Sequence, residues 1–114
     1  MLSFSVMAIP SISSFSEFEE VLKQDQDVLF FFSSAWLEPC KAVRAALEKC
    51  VPKFPSVYFV EVDYDNNFDI VDYCNVRSVP AFRSFQPERG RKFVDWEGSI
   101  TPSKLENLIR DWLK

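Results

Sequence analysis

The sequence predicts a single α/β domain spanning residues 1–114, in which one mixed sheet is covered by helices. Residues 28–32 form an apolar run without alternation, which is typical of a central strand covered on both faces. Apolar residues then recur at three- and four-residue steps from Cys40 to Val51, which predicts a helix beginning near Glu38. A further strand pattern at residues 57–63 makes this unit a right-handed parallel crossover. The complete element order is βαβαβαββα.

The elements before this unit are a strand and a helix. Residues 4–9 are apolar-rich and end at Pro10, which predicts the first strand. Ser14 and Glu17 have capping-box spacing, with the serine accepting a backbone N–H and the glutamate reaching back. The apolar spacing that follows predicts a first helix near residues 15–24.

The elements after the unit are a helix, a hairpin and a last helix. The residues 65–67 suit a helix cap, so a short third helix should contain Phe68 and Cys74. Residues 81–85 and 92–96, separated by Pro87 and Gly90, predict an antiparallel hairpin. Thr101 before Pro102 predicts the start of a final amphipathic helix.

Composition excludes several classes of function. The chain has 13 basic and 17 acidic residues and a net charge of −4, which argues against nucleic acid and anionic membranes as partners. It has no histidine, so a histidine general base, a Cys–His dyad and a histidine zinc site are excluded. We therefore expect no metal and no resident cofactor.

The three cysteines and the N-terminal segment bear on location. Cys40, Cys50 and Cys74 are odd in number and widely spaced, which fits neither a disulfide framework nor a Cys-x-x-Cys metal pair. The first ten residues lack the features of a signal peptide, and no apolar run has transmembrane length. We expect a reducing compartment, the cytoplasm or the nucleus, and the oligomeric state is left open.

A motif between the second strand and its helix carries the functional argument. It reads Trp36-Leu37-Glu38-Pro39-Cys40, and far downstream Val79-Pro80 precedes another short strand. A strand that leads through Trp-x-x-Pro-Cys into a helix, with a distant Val-Pro, resembles the thioredoxin family. The resemblance covers nearly the whole chain, and it implies the thioredoxin fold, a central mixed sheet flanked by helices.

Two residues depart from the pattern of that family. The family has Trp-Cys-x-Pro-Cys, in which the first cysteine is the nucleophile, whereas this chain has Leu37. The resemblance also implies a buried aspartate in the preceding strand, and that position holds Phe31. An exposed thiolate at a helix N-terminus starts disulfide exchange, and a second thiol resolves the mixed disulfide. We therefore expect no dithiol oxidoreductase activity.

Cys40, the remaining motif cysteine, has two interpretations. It lies on the apolar stripe of its helix with Val43 and Leu47, which favours a buried small hydrophobe. The alternative is a single redox thiol that exchanges with glutathione or forms a mixed disulfide with a partner. For Cys50 and Cys74 we favour a structural role, although Cys74 matches a non-catalytic cysteine of some animal thioredoxins.

The resemblance also implies a docking site for protein partners. In thioredoxin-like proteins the proline matching Pro80 is cis and lies beside the redox motif, and the residue before it pairs with an extended peptide. Val79 and Pro80 would then form a ledge next to Trp36, Leu37 and Cys40, with main-chain pairing providing affinity. Glu38 and Pro39 complete the motif side of this predicted site.

A narrower resemblance concerns the segment 36–41, Trp-Leu-Glu-Pro-Cys-Lys, and residues 78–82. Both are similar to the N-terminal thioredoxin-like domains of multidomain monothiol glutaredoxins of the PICOT type, which take part in iron–sulfur and redox homeostasis. Three hypotheses follow: a non-catalytic interaction domain, which we favour; a single-cysteine redox protein; and an oxidoreductase that borrows a thiol from a partner.

Overall fold

The computed structural model describes residues 9–86 and 94–114. A five-stranded sheet in the order β1-β3-β2-β4-β5 lies between two layers of helices. The elements are β1 (Ser11–Ile12), α1 (Phe15–Lys23), β2 (Asp27–Ser33), α2 (Glu38–Cys50), the 3₁₀ turn Val51–Lys53, β3 (Val57–Asp63), α3 (Phe68–Tyr73), β4 (Ala81–Phe85), β5 (Asp95–Glu97) and α4 (Pro102–Trp112).

Two of the three pairings among β2 to β5 are those that the sequence predicts, β2 with β3 and β4 with β5. β2 is parallel to β3, with Phe31 opposite Glu61, and antiparallel to β4, with Phe31 opposite Phe82. β4 and β5 form the predicted antiparallel pair. This arrangement places the loop that leads from β2 into α2 at the same end of the sheet as the start of β4.

Two predicted strands differ from the observed ones. The first strand was predicted at residues 4–9, but the strand that the structure describes is Ser11–Ile12, which pairs with β3. Pro10 directly precedes this strand, and its carbonyl accepts a hydrogen bond from the Glu61 N–H at 2.8 Å, which extends the pairing with β3. The last strand was predicted at 92–96 and is observed at Asp95–Glu97. Residues 4–8 and 87–93, including the predicted turn, lie outside the described residues.

The sheet separates two apolar cores, since side chains of β2 alternate between its faces. Leu29 and Phe31 pack in the core under α2 and α4. Val28, Phe30 and Phe32 pack in the opposite core under α1 and α3. Both faces of β2 are therefore buried, which is why its sequence shows an apolar run and no alternation.

The helix starts follow the predicted caps with two differences. The Ser14 hydroxyl accepts from the Glu17 N–H at 3.1 Å, but the Glu17 carboxylate accepts from the Ser13 N–H instead of the Ser14 N–H. Asn67 is the N-cap of α3, yet its side chain makes no cap bond and donates to the Asp63 carbonyl at 3.0 Å. Polar side chains in a turn compete for several backbone groups, so the type of cap is less predictable than its position.

Candidate functional site

The motif lies where β2 ends and α2 begins. Leu37 is the N-cap of α2 and makes no side-chain cap bond, and Pro39 stands in the first turn of the helix. A proline is accommodated there because the first N–H groups of a helix have no partner within it. The Leu37 side chain is 42% exposed. An apolar side chain thus occupies the helix start, where a thiolate would gain most from the helix dipole.

Cys40 is covered by protein. It is only 1% exposed, and its sulfur accepts a hydrogen bond from the Ser34 N–H at 3.4 Å. Burial raises the pKa of the Cys40 thiol, and this outweighs the Ser34 hydrogen bond and the Arg44 charge, which lower it. The thiol is therefore protonated at neutral pH and is a poor nucleophile.

The other two thiols lie away from the motif. Cys50 is ten residues further along α2, about 15 Å at the rise of an α-helix, and it is buried in the core under α2 and α4. Cys74 packs on the other side of the sheet, and burial raises its pKa to about 11. All three cysteines are free, so no two of them form a disulfide.

Phe31 fills the position where the resemblance implies an aspartate. It is completely buried, and its ring stacks on that of Phe82 with 5.4 Å between the centroids. The Arg44 guanidinium lies 5.9 Å from the centre of the Phe31 ring. An ionised carboxylate at this position would have to lose its hydration inside an aromatic stack, so the site is built for an apolar side chain.

A buried polar cluster beside Phe31 was not found from the sequence. Glu61 is 9% exposed, and its carboxylate accepts from the Arg44 Nε at 3.1 Å, from the Arg44 Nη2 and from the Ser33 hydroxyl. The carboxylate is thereby committed to an internal ion pair, and its negative charge also contributes to the raised pKa of the Cys40 thiol. One signal existed, since Glu61 interrupts an otherwise apolar strand.

A cleft opens beside the motif and contains several of the predicted residues. We call it the docking cleft; its volume is about 390 Å³, and its lining residues are Ser34, Trp36, Leu37, Tyr64, Asp65, Arg77, Ser78 and Val79. Trp36 is 84% exposed, and a 2.6 Å hydrogen bond from the Ser34 hydroxyl to Asp65 ties the motif loop to the end of β3. The cleft is therefore walled by three different segments of the chain.

The predicted site residues divide into two groups. Trp36, Leu37 and Val79 line the docking cleft together, and the Val79–Pro80 peptide bond is cis, as predicted. The lining does not include Glu38, Pro39, Cys40 or Pro80. Glu38 points to solvent and pairs with Lys41 at 3.2 Å, and Cys40 and Pro80 are buried. Tyr64, Asp65 and Arg77 were missed, although their loops precede α3 and Pro80 at the same end of the sheet.

The described residues contain neither a metal-binding cluster nor a membrane-spanning helix. Within residues 9–86 and 94–114, no cluster of three or more cysteine, aspartate or glutamate side chains is arranged to hold a metal ion. No described helix has the length and apolarity needed to cross a membrane.

Comparison with known proteins gives consistent similarities. The profile of the family described as Thioredoxin matches residues 9–111. Thioredoxin of Oryctolagus cuniculus is 36% identical over 107 residues, 92% of this chain and 99% of that protein. Thioredoxin of Gallus gallus is 30% identical over 104 residues, 90% of this chain and 96% of that protein.

Solved structures agree with these sequence matches. Thioredoxin from Trypanosoma brucei brucei superposes with a TM-score of 0.81 at 26% identity, over 99% of this chain and 97% of that one. Mitochondrial thioredoxin 3 from Saccharomyces cerevisiae, in its oxidised form, gives a TM-score of 0.75 at 30% identity, over 94% of this chain and 98% of that one. The similarity therefore extends over nearly the whole chain and is not confined to the motif.

Proposed function

We propose that this chain, which belongs to the thioredoxin family and has the thioredoxin fold, is a non-catalytic protein-interaction module. It would bind an extended segment of a partner protein in the docking cleft and perform no disulfide exchange of its own. The observation that carries this proposal is Leu37, an apolar, partly exposed side chain at the start of α2 above a buried Cys40.

The chemistry of disulfide exchange supports the loss of activity. A thiolate must attack one sulfur of the substrate disulfide, which releases the other sulfur as a thiolate and leaves a mixed disulfide. A second thiol must then attack that mixed disulfide, so that both electrons reach the substrate. Leu37 cannot take the first step, and Cys40 is a protonated thiol without solvent access.

The shape of the docking cleft supports the binding role. Trp36 exposes most of an indole ring, and such rings dominate the energy of protein interfaces when a partner covers them. Leu37 and Val79 extend this apolar wall on the two sides of the cleft. A partner segment would exchange water for apolar contact here, and no thiol on the partner would be required.

The experiment uses a displayed library of ten-residue peptides without cysteine, selected on the intact protein. We expect enriched peptides that bind wild type and lose roughly tenfold or more in affinity on Trp36→Ala. Phe68→Ala is the matched control, because Phe68 is an equally exposed aromatic residue, 80% against 84%, outside the cleft lining. If every enriched peptide bound the Trp36 variant as tightly as wild type, the docking role of the cleft would be wrong.

A single-cysteine redox role is the second candidate. The Ser34 N–H and the positive charge of Arg44 both favour the Cys40 thiolate, although burial opposes them more strongly. In this role the Cys40 thiolate would attack oxidised glutathione, form a mixed disulfide and release one glutathione thiolate. Intact-mass analysis after incubation with oxidised glutathione distinguishes the two functions. A rapid stoichiometric adduct on Cys40 would favour the redox role, and the unmodified protein would favour the interaction module.

A link to iron–sulfur glutaredoxins is a narrower proposal. It rests on residues 36–41 and 78–82, whereas the relatives described above are thioredoxins. A Cys-Gly-Phe-Ser domain further along the same reading frame would support this link. The three free cysteines also support our proposal that the protein acts in a reducing compartment, in the cytosol or the nucleus.

A further inference from the structure

Charge is unequally divided between the two helical layers. Helices α1 and α3 carry one basic residue, Lys23, and the acidic residues Glu17, Glu19, Glu20, Asp69 and Asp72. Helices α2 and α4 carry basic and acidic residues in similar number: Lys41, Arg44, Lys49, Lys104 and Arg110 against Glu38, Glu48, Glu106 and Asp111. The layer formed by α1 and α3, which we call the acidic layer, thus has a net charge of −4, whereas α2 and α4 together have +1.

The carboxylates of the acidic layer are largely uncompensated. Lys23 pairs with Glu20 at 3.8 Å, and among the described residues no other cation lies within ion-pair distance of the remaining four carboxylates. Asp69 and Asp72 are both exposed on α3. Like charges close together raise the energy of the free surface, so a cationic partner would be attracted to it.

An apolar cavity opens in the same layer. Its volume is about 270 Å³, and its lining residues are Phe18, Leu22, Phe30, Tyr73, Cys74, Arg83, Ser84 and Phe85. Tyr73 is 66% exposed and packs edge-on against Phe15, with 5.5 Å between the ring centroids. The cavity is smaller than the roughly 300–1,000 Å³ of sites for drug-sized ligands. It therefore suits a single large side chain better than a free small molecule.

The one cation in the cavity wall is already neutralised. Arg83 donates to the carbonyls of Cys74 and Asn75, each at 3.0 Å. It also pairs with Asp95 at 2.9 Å and with Glu97 at 2.7 Å. The guanidinium is held in place and has two carboxylates against its single charge, so it does not repel a basic ligand.

We propose that the acidic layer is a second docking surface, which receives a basic segment of a partner protein with one large apolar side chain. The apolar side chain would enter the cavity beside Tyr73, and the flanking lysines or arginines would face Asp69 and Asp72. This surface lies on a helical layer, whereas the docking cleft lies at one end of the sheet. The proposal does not depend on the function of the cleft.

The experiment measures fluorescence anisotropy of a fluorescein-labelled six-residue peptide that alternates lysine and phenylalanine. We expect saturable binding to the intact protein that weakens as salt rises, because exposed charges are screened. The double variant Asp69→Asn, Asp72→Asn should bind about tenfold more weakly at low salt. The control Glu48→Gln, Asp111→Asn removes two carboxylates from the other layer and should bind like wild type.

Three further measurements decide the details. A peptide with alanine in place of phenylalanine should bind at least about fivefold more weakly, because it leaves the cavity empty; equal binding of both peptides would overturn the role of the cavity. Trp36→Ala should leave peptide binding unchanged, and a loss would overturn the separation of the two surfaces. Sedimentation of the wild-type protein should show no self-association that depends on Asp69 and Asp72. If wild type self-associated and the Asp69→Asn, Asp72→Asn variant did not, the occupant would be a second copy of this chain and the proposal would be wrong.

Discussion

The two sides of the docking cleft differ in what they retain of a thioredoxin. On the side of α2, Leu37 lines the cleft at the position where the family resemblance implies a nucleophile. Phe31, buried in the core under α2 and outside the lining, occupies the position where the resemblance implies a carboxylate. On the opposite side, Val79 and the cis bond to Pro80 keep the arrangement that the resemblance implies for peptide docking. The side where the resemblance implies chemistry is apolar, and the side to which we propose that a partner docks keeps the cis bond.

In our proposal, this difference separates binding from catalysis residue by residue. Trp36 and Val79 depend on the loops that the sheet positions, and those loops need no thiol to keep their shape. The Arg44–Glu61 pair and the Phe31–Phe82 stack stabilise the region under the motif, and the charges of Arg44 and Glu61 shift the pKa of Cys40 in opposite directions. The following predictions test this separation.

Replacing Leu37 with cysteine should have the largest effect. The introduced thiol would stand partly exposed at the helix start, where the helix dipole lowers the pKa of a thiol, and Cys40 lies one turn away to resolve the mixed disulfide. We expect disulfide reduction with dithiothreitol about a hundredfold or more faster than with wild type. Leu37→Ser is the control and should be inactive. A folded but inactive Leu37→Cys would show that more than one missing thiol separates this chain from catalysis.

Replacing Phe31 with aspartate tests whether the core under the motif requires an apolar side chain at this position. Phe31→Asp should lower the free energy of unfolding by about 3–5 kcal/mol, because it removes a buried ring and buries a carboxyl without a prepared partner. Phe31→Leu should cost roughly half as much. Urea unfolding measures both variants. Equal stability of Phe31→Asp and wild type would mean that this core accepts the carboxyl that the family resemblance implies.

The raised pKa of Cys74 predicts that the folded protein loses stability at alkaline pH. Burial raises the pKa of Cys74 from 9.0 to about 11, so the folded protein keeps a proton that the unfolded chain loses. This contribution is fully present below pH 9.0, the unfolded value, and is lost as the pH rises toward about 11. Urea unfolding on both sides of this range should show a steeper decline for wild type than for Cys74→Ala. Parallel declines would contradict the burial of this thiol.

The smallest effect is expected when an exposed residue of the cleft is removed and the free energy of unfolding is measured. Trp36→Ala should change the free energy of unfolding by no more than about 0.5 kcal/mol, because the ring is 84% exposed. Calorimetry or urea unfolding measures this directly. A larger loss would mean that Trp36 is part of the fold, and its effect on peptide binding would then have a structural explanation.

Local patterns predicted most of the fold because the relevant signals are short in range. The apolar run of β2, the stripe of α2 and the Thr101 cap each depend on neighbouring residues, and each lies where predicted. The strand at Ser11–Ile12 was missed because two residues carry too little pattern to detect.

The candidate site was only partly predictable, for a related reason. Trp36, Leu37 and Val79 are identified by their motifs, and the fold brings them together. Tyr64, Asp65 and Arg77 enter the cleft because loops from distant segments meet at one end of the sheet, which no local pattern specifies. The Arg44–Glu61 pair likewise joins a helix to a strand 17 residues away.

Reduction of insulin by dithiothreitol, followed by turbidity with and without the wild-type protein, tests the central claim most directly. The missing nucleophile predicts that the rate equals that of dithiothreitol alone at every protein concentration. A rate that rises with the amount of protein and disappears on Cys40→Ser would contradict it, since Cys40 would then be a working thiol.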